Sequence, residues 1–159
     1  KPIFTHFVVD RYGSLAFLLF DQTESINVSI RLMNDFVMPY YKDLGIKIEK
    51  IILEAEDELE KECQDRYGMF IDEHKIEARF IESGDENADG FAQRFKATVR
   101  DQLLFDRRTK LYLKEIEEMN EKGQIWLNQY NSTPLNGYRN FGASPFEVIK
   151  AYRAGRRLI

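Results

Sequence analysis

Hydrophobic and polar residues near the start of the chain are arranged as in a β-hairpin. The segments 3–9 and 15–20 are rich in the β-branched and aromatic residues that favour strands. Between them, residues 10–14 read Asp-Arg-Tyr-Gly-Ser, a composition that favours a turn. We therefore expect two antiparallel strands joined by a short turn.

Farther along, apolar residues recur at steps of three and four, the spacing of one helix face. The segment 25–44 has this spacing, with Thr23 or Ser25 as its N-terminal cap and Gly45 after its last turn. Three further helices are predicted: one leading from the acidic stretch 54–62 to about residue 74, one over 91–104 and one over 109–130. The last two carry apolar stripes that must be buried.

A final short helix is predicted over 145–153. Ser144 precedes it as the N-cap, Pro145 occupies its first position and Glu147 its third. In such a capping box the serine and glutamate side chains bind backbone N–H groups, and proline at the first position costs no hydrogen bond. The local sequence therefore predicts where this helix begins.

Two apolar segments, 46–53 and 76–81, are strand candidates. The first is apolar on both faces, as expected inside a sheet that helices cover. The order β-β-α-β-α-β-α-α-α indicates an α/β fold with a mixed sheet flanked by helices. No repeat or low-complexity linker divides the chain, so a single domain is expected over residues 1–159.

Composition narrows the possible chemistry and location. The only cysteine, Cys63, has no partner for a disulfide within the chain, and two distant histidines, His6 and His74, lack metal-ligand spacing. We therefore expect no zinc site. The net charge of −4 argues against nucleic-acid binding over the whole surface and leaves room for a local basic patch.

Nothing in the sequence indicates a membrane segment or a secretion signal. No apolar run approaches the roughly 18 residues of a transmembrane helix, and the first residues have no basic region ahead of an apolar one. We expect a protein of the cytoplasm, or of the nucleoid or nucleus, that is not secreted and has no membrane partner.

Three segments contain motif-like residues in a fixed order. The first, 8–17, reads Val-Val-Asp-Arg-Tyr-Gly-Ser-Leu-Ala-Phe, with Asp-Gln-Thr at 21–23 behind it. The second, 89–101, reads Asp-Gly-Phe-Ala-Gln-Arg-Phe-Lys-Ala-Thr-Val-Arg-Asp. The third, 126–147, begins Trp-Leu-Asn-Gln-Tyr-Asn and ends Ser-Pro-Phe-Glu.

Together these segments resemble the integrase core of retroviruses and bacterial insertion-sequence transposases. The second is similar to the family's Asn-Gly-x-Val-Glu-Arg-Phe-Asn-x-Thr-Leu-Lys helix, and four of its residues match: Gly90, Arg94, Phe95 and Thr98. The third resembles the family's closing Tyr-Asn, Pro and Thr-Pro-x-Glu. The resemblance spans nearly the whole chain and implies a ribonuclease H-like fold.

In that family, three carboxylates hold two Mg²⁺ or Mn²⁺ ions for phosphoryl transfer, because negatively charged oxygen ligands match these ions and offset their repulsion. The resemblance places the first carboxylate on a strand before the hairpin, upstream of Lys1 or missing. It places the second at Ala55 and the third at Gln93, and neither residue is a carboxylate. We therefore expect no cofactor, with Mg²⁺ or Mn²⁺ as the cofactor if the chain is active.

Four acidic residues are possible replacements: Glu54, Glu56, Asp57 and Asp10. Asp10 opens the hairpin turn, where aspartate is common without any ligand. The other three lie at a predicted helix start, where the helix dipole favours acidic residues. Strand alternation also points Glu54 and Glu56 away from the face of Ala55. The structural interpretation is favoured for all four.

Positive charge is clustered where DNA contacts are expected. Arg100 shares the helix face of Gln93, where a basic residue touches DNA phosphate in the family. The candidate DNA-binding residues are Lys96, Arg100, Arg107, Arg108, Arg153, Arg156 and Arg157. DNA is therefore the expected partner, and the resemblance implies a homodimer or a larger assembly.

Three hypotheses for function follow. The leading one is a degenerate core that serves DNA integration or transposition by binding nucleic acid without cutting it. The alternative is an active transposase or integrase that performs Mg²⁺-dependent strand transfer with the shifted acidic ligands. The third is a structural adaptor on the same fold that does not bind DNA. Enzyme activity is left open between the first two.

Overall fold

The computed structural model describes residues 3–55, 57–82, 90–104, 116–137 and 140–153. In chain order, the elements are β1 (Phe4–Val9), β2 (Ala16–Asp21), α1 (Ile26–Leu32), a first π-helical turn (Met33–Val37), α2 (Met38–Asp43), β3 (Lys50–Ala55), α3 (Asp57–His74), β4 (Glu77–Glu82), α4 (Gly90–Val99), a second π-helical turn (Arg100–Leu104), α5 (Ile116–Asn131) and α6 (Pro145–Arg153). Helices and strands are interspersed along the chain, which confirms the predicted α/β class.

Contacts divide the chain into two compact units. Unit 1 comprises Lys1–Thr23 and Phe91–Ile159, and unit 2 comprises Glu24–Gly90. The prediction that the whole chain is one domain stays a prediction. Among the described residues, no helix has both the length and the apolar character needed to cross a membrane.

The described strands form two sheets of two strands each. In unit 1, β1 and β2 pair in antiparallel register over their full length, which confirms the predicted hairpin. In unit 2, β3 and β4 pair in parallel over their full length. The ribonuclease H-like arrangement of the strands in one mixed sheet stays a prediction.

The outer edge of β2 is covered by amide side chains of α5. Asn131 Oδ1 accepts from Ala16 N and Asn131 Nδ2 donates to Ala16 O, both at 3.0 Å. Asn120 forms the same pair of bonds with the backbone of Phe20, at 2.8 and 2.9 Å. A Cβ atom at Gly123 would lie 3.0 Å from Phe20 Cε2, so glycine lets α5 lie this close. These bonds take the place of a neighbouring strand and protect the edge of the sheet.

The core of unit 1 contains residues from β2, α4, the second π-helical turn and α5. Alternate residues of β2 contribute to it, as the two-residue period of a strand requires. The buried members are Ala16, Leu18, Phe20, Phe95, Val99, Leu103, Met119 and Leu127. Phe20 and Phe95 are among the largest side chains that are fully buried.

The predicted helix over 25–44 is present, with Ser25 as its N-cap, but the first π-helical turn interrupts it. There the N–H of Met38 donates to the carbonyl of Met33, one residue farther back than in an α-helix. Pro39 follows directly. Proline lacks an N–H, and its ring clashes with the carbonyl four residues earlier, so a wider turn at this point has a local physical cause.

β3 and β4 begin later than the sequence predicts, because the first residues of both segments close the preceding helix. Ile46 N donates to Tyr41 O at 2.9 Å, across Gly45 with its φ of +70°. Ile76 N donates to Ile71 O at 3.0 Å in the same way. Both are Schellman-type helix ends, whose N–H groups cannot also start a strand pair.

The capping box of α6 is confirmed in both directions. Ser144 N donates to Glu147 Oε1 at 3.3 Å, and Glu147 N donates to Ser144 Oγ at 3.2 Å. Pro145 takes the first helical position and is buried. These contacts fix the start of α6 from local sequence alone.

Candidate functional site

Helix α4 separates a buried face from an exposed face that carries Gln93. Phe95 and Val99 are buried, whereas Gln93, Lys96 and Arg100 are exposed. Steps of three and seven residues place Lys96 and Arg100 on the face of Gln93. The structure therefore brings together Gln93, which the resemblance aligns with the third carboxylate, and two of the predicted DNA-binding residues.

This exposed face is positively charged. Arg100 Nε lies 3.0 Å from Asp101 Oδ1, and the two side chains are 58% and 63% exposed. An exposed ion pair of this kind is weak and is screened by salt, so a phosphate can compete with Asp101 for the guanidinium. Gln93 is neutral and adds no negative charge beside Lys96. The face is better suited to an anion than to a metal ion.

Ala55, which the resemblance aligns with the second carboxylate, lies in unit 2. Ala55 is the last residue of β3, at the carboxyl end of that strand. The side chains of Glu54, Ala55 and Asp57, together with all of Glu56, lie outside the described residues. The roles predicted for these acidic residues therefore stay predictions.

Asp10 lies in the hairpin turn, where the sequence places it. Its N–H donates to Leu15 O at 2.8 Å, and its carbonyl accepts from Ser14 N at 2.9 Å. Asp10 Oδ1 accepts from Tyr12 N at 2.5 Å, so one carboxylate oxygen bonds within the turn. Within the part of the chain that the structure describes, no three His, Cys, Asp or Glu residues come together as a metal site.

The residues that give segment 89–101 its resemblance make structural contacts. The Phe95 ring lies 5.1 Å from the Tyr130 ring, centroid to centroid, in an edge-on arrangement. The Arg94 guanidinium lies over the Phe91 ring, 4.9 Å from its centroid. Thr98 Oγ1 donates to Arg94 O at 2.9 Å. These contacts fix the register of α4 and with it the exposed position of Gln93.

The Tyr-Asn pair of the third segment also has a structural role. Tyr130 OH donates to Ser14 O at 3.2 Å. Burial raises the pKa of Tyr130 to about 12, even though the positive charge of Arg94 acts to lower it, so the hydroxyl keeps its proton. Asn131 is buried and binds both backbone groups of Ala16. Both residues attach α5 to the hairpin.

Sequence reasoning missed further amide side chains that bind the backbone of the hairpin. Gln124 Nε2 donates to Leu18 O at 2.9 Å, between the two residues of β2 that Asn120 and Asn131 bind. Asn140 is buried, and its Nδ2 donates to Gly13 O at 2.9 Å. The signal in the sequence was the recurrence of amide side chains on one face of a predicted helix, at steps of four and seven residues.

The candidate DNA-binding residues are only partly covered by the structure. Lys96 lies on α4, Arg100 begins the second π-helical turn directly after it, Arg153 ends α6, and all three are exposed. The remaining four lie outside the described residues: Arg107, Arg108, Arg156 and Arg157. The described candidates therefore lie on α4, directly after it, and at the end of α6.

A comparison of the chain with known protein families and another with curated proteins each found no match. The residues and their geometry therefore carry the functional inference.

Proposed function

We propose that the chain is a ribonuclease H-like integrase or transposase core that binds DNA and does not catalyse strand transfer. The observation that carries the proposal is the position of Gln93. Its neighbours on α4 fix it on an exposed face with Lys96 and Arg100, where the family has a metal-binding glutamate.

The chemistry follows from the charge of that face. Two divalent ions held close together need several carboxylate ligands to offset their repulsion. Glutamine keeps the shape of glutamate but not its charge, and Ala55 offers no ligand atom at the second position. Glutamine in place of glutamate at position 93 also removes one negative charge that would repel a phosphate approaching Lys96 and Arg100. The same change therefore opposes catalysis and favours DNA binding.

The element order supports the fold part of the proposal. Along the chain, a hairpin is followed by a helical segment, a strand, a helix, a strand and then further helices, which is the order expected from the sequence. The resemblance also implies a homodimer or a larger assembly, which sedimentation velocity of the full chain would test.

Binding of a labelled DNA duplex at a series of salt concentrations tests the proposal. Wild-type protein is expected to bind most tightly at low salt, because each phosphate contact releases counterions. Lys96→Ala and Arg100→Ala should each weaken binding and lower the slope of log affinity against log salt by about 0.9. The matched control is Lys122→Ala, which removes an exposed lysine of α5.

Undetectable binding of the wild type at low salt would contradict the proposal and favour a structural adaptor. Equal losses for Lys96→Ala, Arg100→Ala and Lys122→Ala would contradict the assignment of the α4 face, since a general charge effect would then explain the binding.

A further inference from the structure

Aromatic side chains gather in unit 1 where the hairpin turn meets the end of α6. The rings of Tyr12 and Tyr152 are 5.1 Å apart, centroid to centroid, with their planes at 66°. Tyr152 is 50% exposed and Phe141 is 59% exposed. Phe141 directly follows Asn140 in the chain, and Asn140 Nδ2 donates to the carbonyl of Gly13, the residue after Tyr12. Tyr12 is half-buried, so the exposed ring of Tyr152 packs against a second ring, and exposed apolar surface of this kind marks a contact surface.

The segments that carry these rings are held firmly. A Cβ atom at Gly13 would lie 2.5 Å from Val148 Cγ1, so the turn rests directly on α6. Asn140 Nδ2 donates to Gly13 O at 2.9 Å, and the capping box fixes where α6 begins. Rings on a rigid scaffold lose little conformational freedom when a ligand binds.

Arginines accompany the rings. Arg11 precedes Tyr12 in the turn, Arg153 follows Tyr152 at the end of α6, and both arginines are exposed. The carboxylate of Asp10 accepts from the backbone N of Tyr12. We call Arg11, Tyr12, Phe141, Tyr152 and Arg153 the tyrosine surface.

We infer that the tyrosine surface binds single-stranded DNA. Every base has a flat face that can stack on an aromatic ring, and the arginines beside Tyr12 and Tyr152 in the chain add positive charge that attracts the phosphates of the same strand. A duplex hides the faces of its bases, so this surface favours an unpaired strand. The inference rests on the proposed DNA-binding function and adds a second surface to that of α4.

Fluorescence anisotropy of a labelled oligothymidine, and of a duplex of equal length, tests the inference on the full chain. Tyr152→Ala should lower the affinity for the single strand by about tenfold, the usual loss of one stacked base, and leave duplex affinity unchanged. Tyr152→Phe keeps the ring and should retain the single-strand affinity. Arg153→Ala should lower the salt slope for the single strand by about 0.7.

Phe36→Ala is the matched control, since it removes a 41% exposed ring from unit 2 and should leave binding unchanged. Phe141→Ala tests the surface without altering α6, and the melting temperature of each variant reports whether it folds.

The inference is overturned if Tyr152→Ala and Phe141→Ala both bind the oligothymidine like the wild type, or if Tyr152→Ala weakens both DNA forms equally. Wild-type protein that binds the duplex but not the single strand overturns this inference alone, whereas binding of neither form also overturns the proposed function.

Discussion

The inward and outward sides of unit 1 differ in how they compare with the integrase motif that the sequence resembles. On the inward side, Phe95, Tyr130 and Asn131 match the family pattern, and each makes a buried or half-buried contact with the core or the hairpin. On the outward side, the proposed relationship puts Gln93 at the position of a catalytic carboxylate, and Lys96 and Arg100 share its face.

The difference teaches that a fold and its chemistry depend on separate residues. Inward residues are constrained by packing and by backbone hydrogen bonds, so their loss costs stability. An exposed carboxylate makes few such contacts and can be replaced with little effect on folding. A recognisable core without its catalytic charge is therefore a physically consistent state, and substitutions on the two sides should behave differently.

The largest contrast is expected within α4 itself. Phe95→Ala should lower the free energy of unfolding by about 3–5 kcal/mol, because it leaves a cavity among the rings of the core. Gln93→Ala, two residues away, should change it by less than about 0.5 kcal/mol. Urea denaturation followed by circular dichroism measures both. Comparable losses for the two variants would remove the distinction between the two sides.

A somewhat smaller contrast is expected within α5. Asn131→Ala should lower the free energy of unfolding by about 2–4 kcal/mol, because the N–H and carbonyl of Ala16 would both be buried without a partner. Asn128→Ala is the matched control, since Asn128 is exposed on the same helix. If thermal melting shows no difference between these variants, the amides of α5 do not hold the edge of β2.

The next contrast concerns the capping box. Ser144→Ala should lower the free energy of unfolding by about 1 kcal/mol, because the N–H of Glu147 loses its acceptor. Ser132→Ala removes an exposed serine beyond the end of α5 and serves as the control. Chemical denaturation of the two variants checks this difference, and equal stabilities would show that α6 does not depend on its cap.

The smallest effect depends on pH. The pKa of Tyr130 is about 12 in the folded chain, whereas the usual pKa of a tyrosine, expected in the unfolded chain, is 10.0. The folded form therefore holds the proton more tightly. Its contribution to stability is complete below pH 10 and is lost as the pH rises towards 12. Tyr130→Phe should therefore lose less stability than the wild type over this range. Parallel pH dependences of the two proteins would contradict the burial of this hydroxyl.

Local features of the fold could be read from the sequence. The hairpin turn, the Ser25 cap, Gly45 and the capping box of α6 each depend on a few neighbouring residues, and all are present. The π-helical turn before Pro39 had a local signal, but a proline alone does not say whether a helix bends, widens or ends. The predicted starts of β3 and β4 were too early, because Ile46 and Ile76 donate their N–H groups to the end of the preceding helix.

Non-local features could not be read in the same way. The bonds from Asn120 and Asn131 to β2 join residues about a hundred positions apart, and amide side chains look like ordinary surface residues until their partners are known. Ala55 and Gln93 differ in how well the local sequence fixes their alignment. Gln93 lies among motif residues that fix its alignment with the family, whereas Ala55 ends β3 with no matching motif residues beside it in the sequence.

Strand transfer by the purified full chain tests the central claim most directly. DNA ends and target DNA would be incubated with the wild-type protein in Mg²⁺ and in Mn²⁺, beside variants in which Glu54, Glu56 or Asp57 is changed to Ala. We predict no metal-dependent strand transfer from any of these proteins, while duplex binding is retained. Robust metal-dependent transfer by the wild type, abolished by one of the three substitutions, would contradict the claim and identify the chain as an active transposase with shifted ligands.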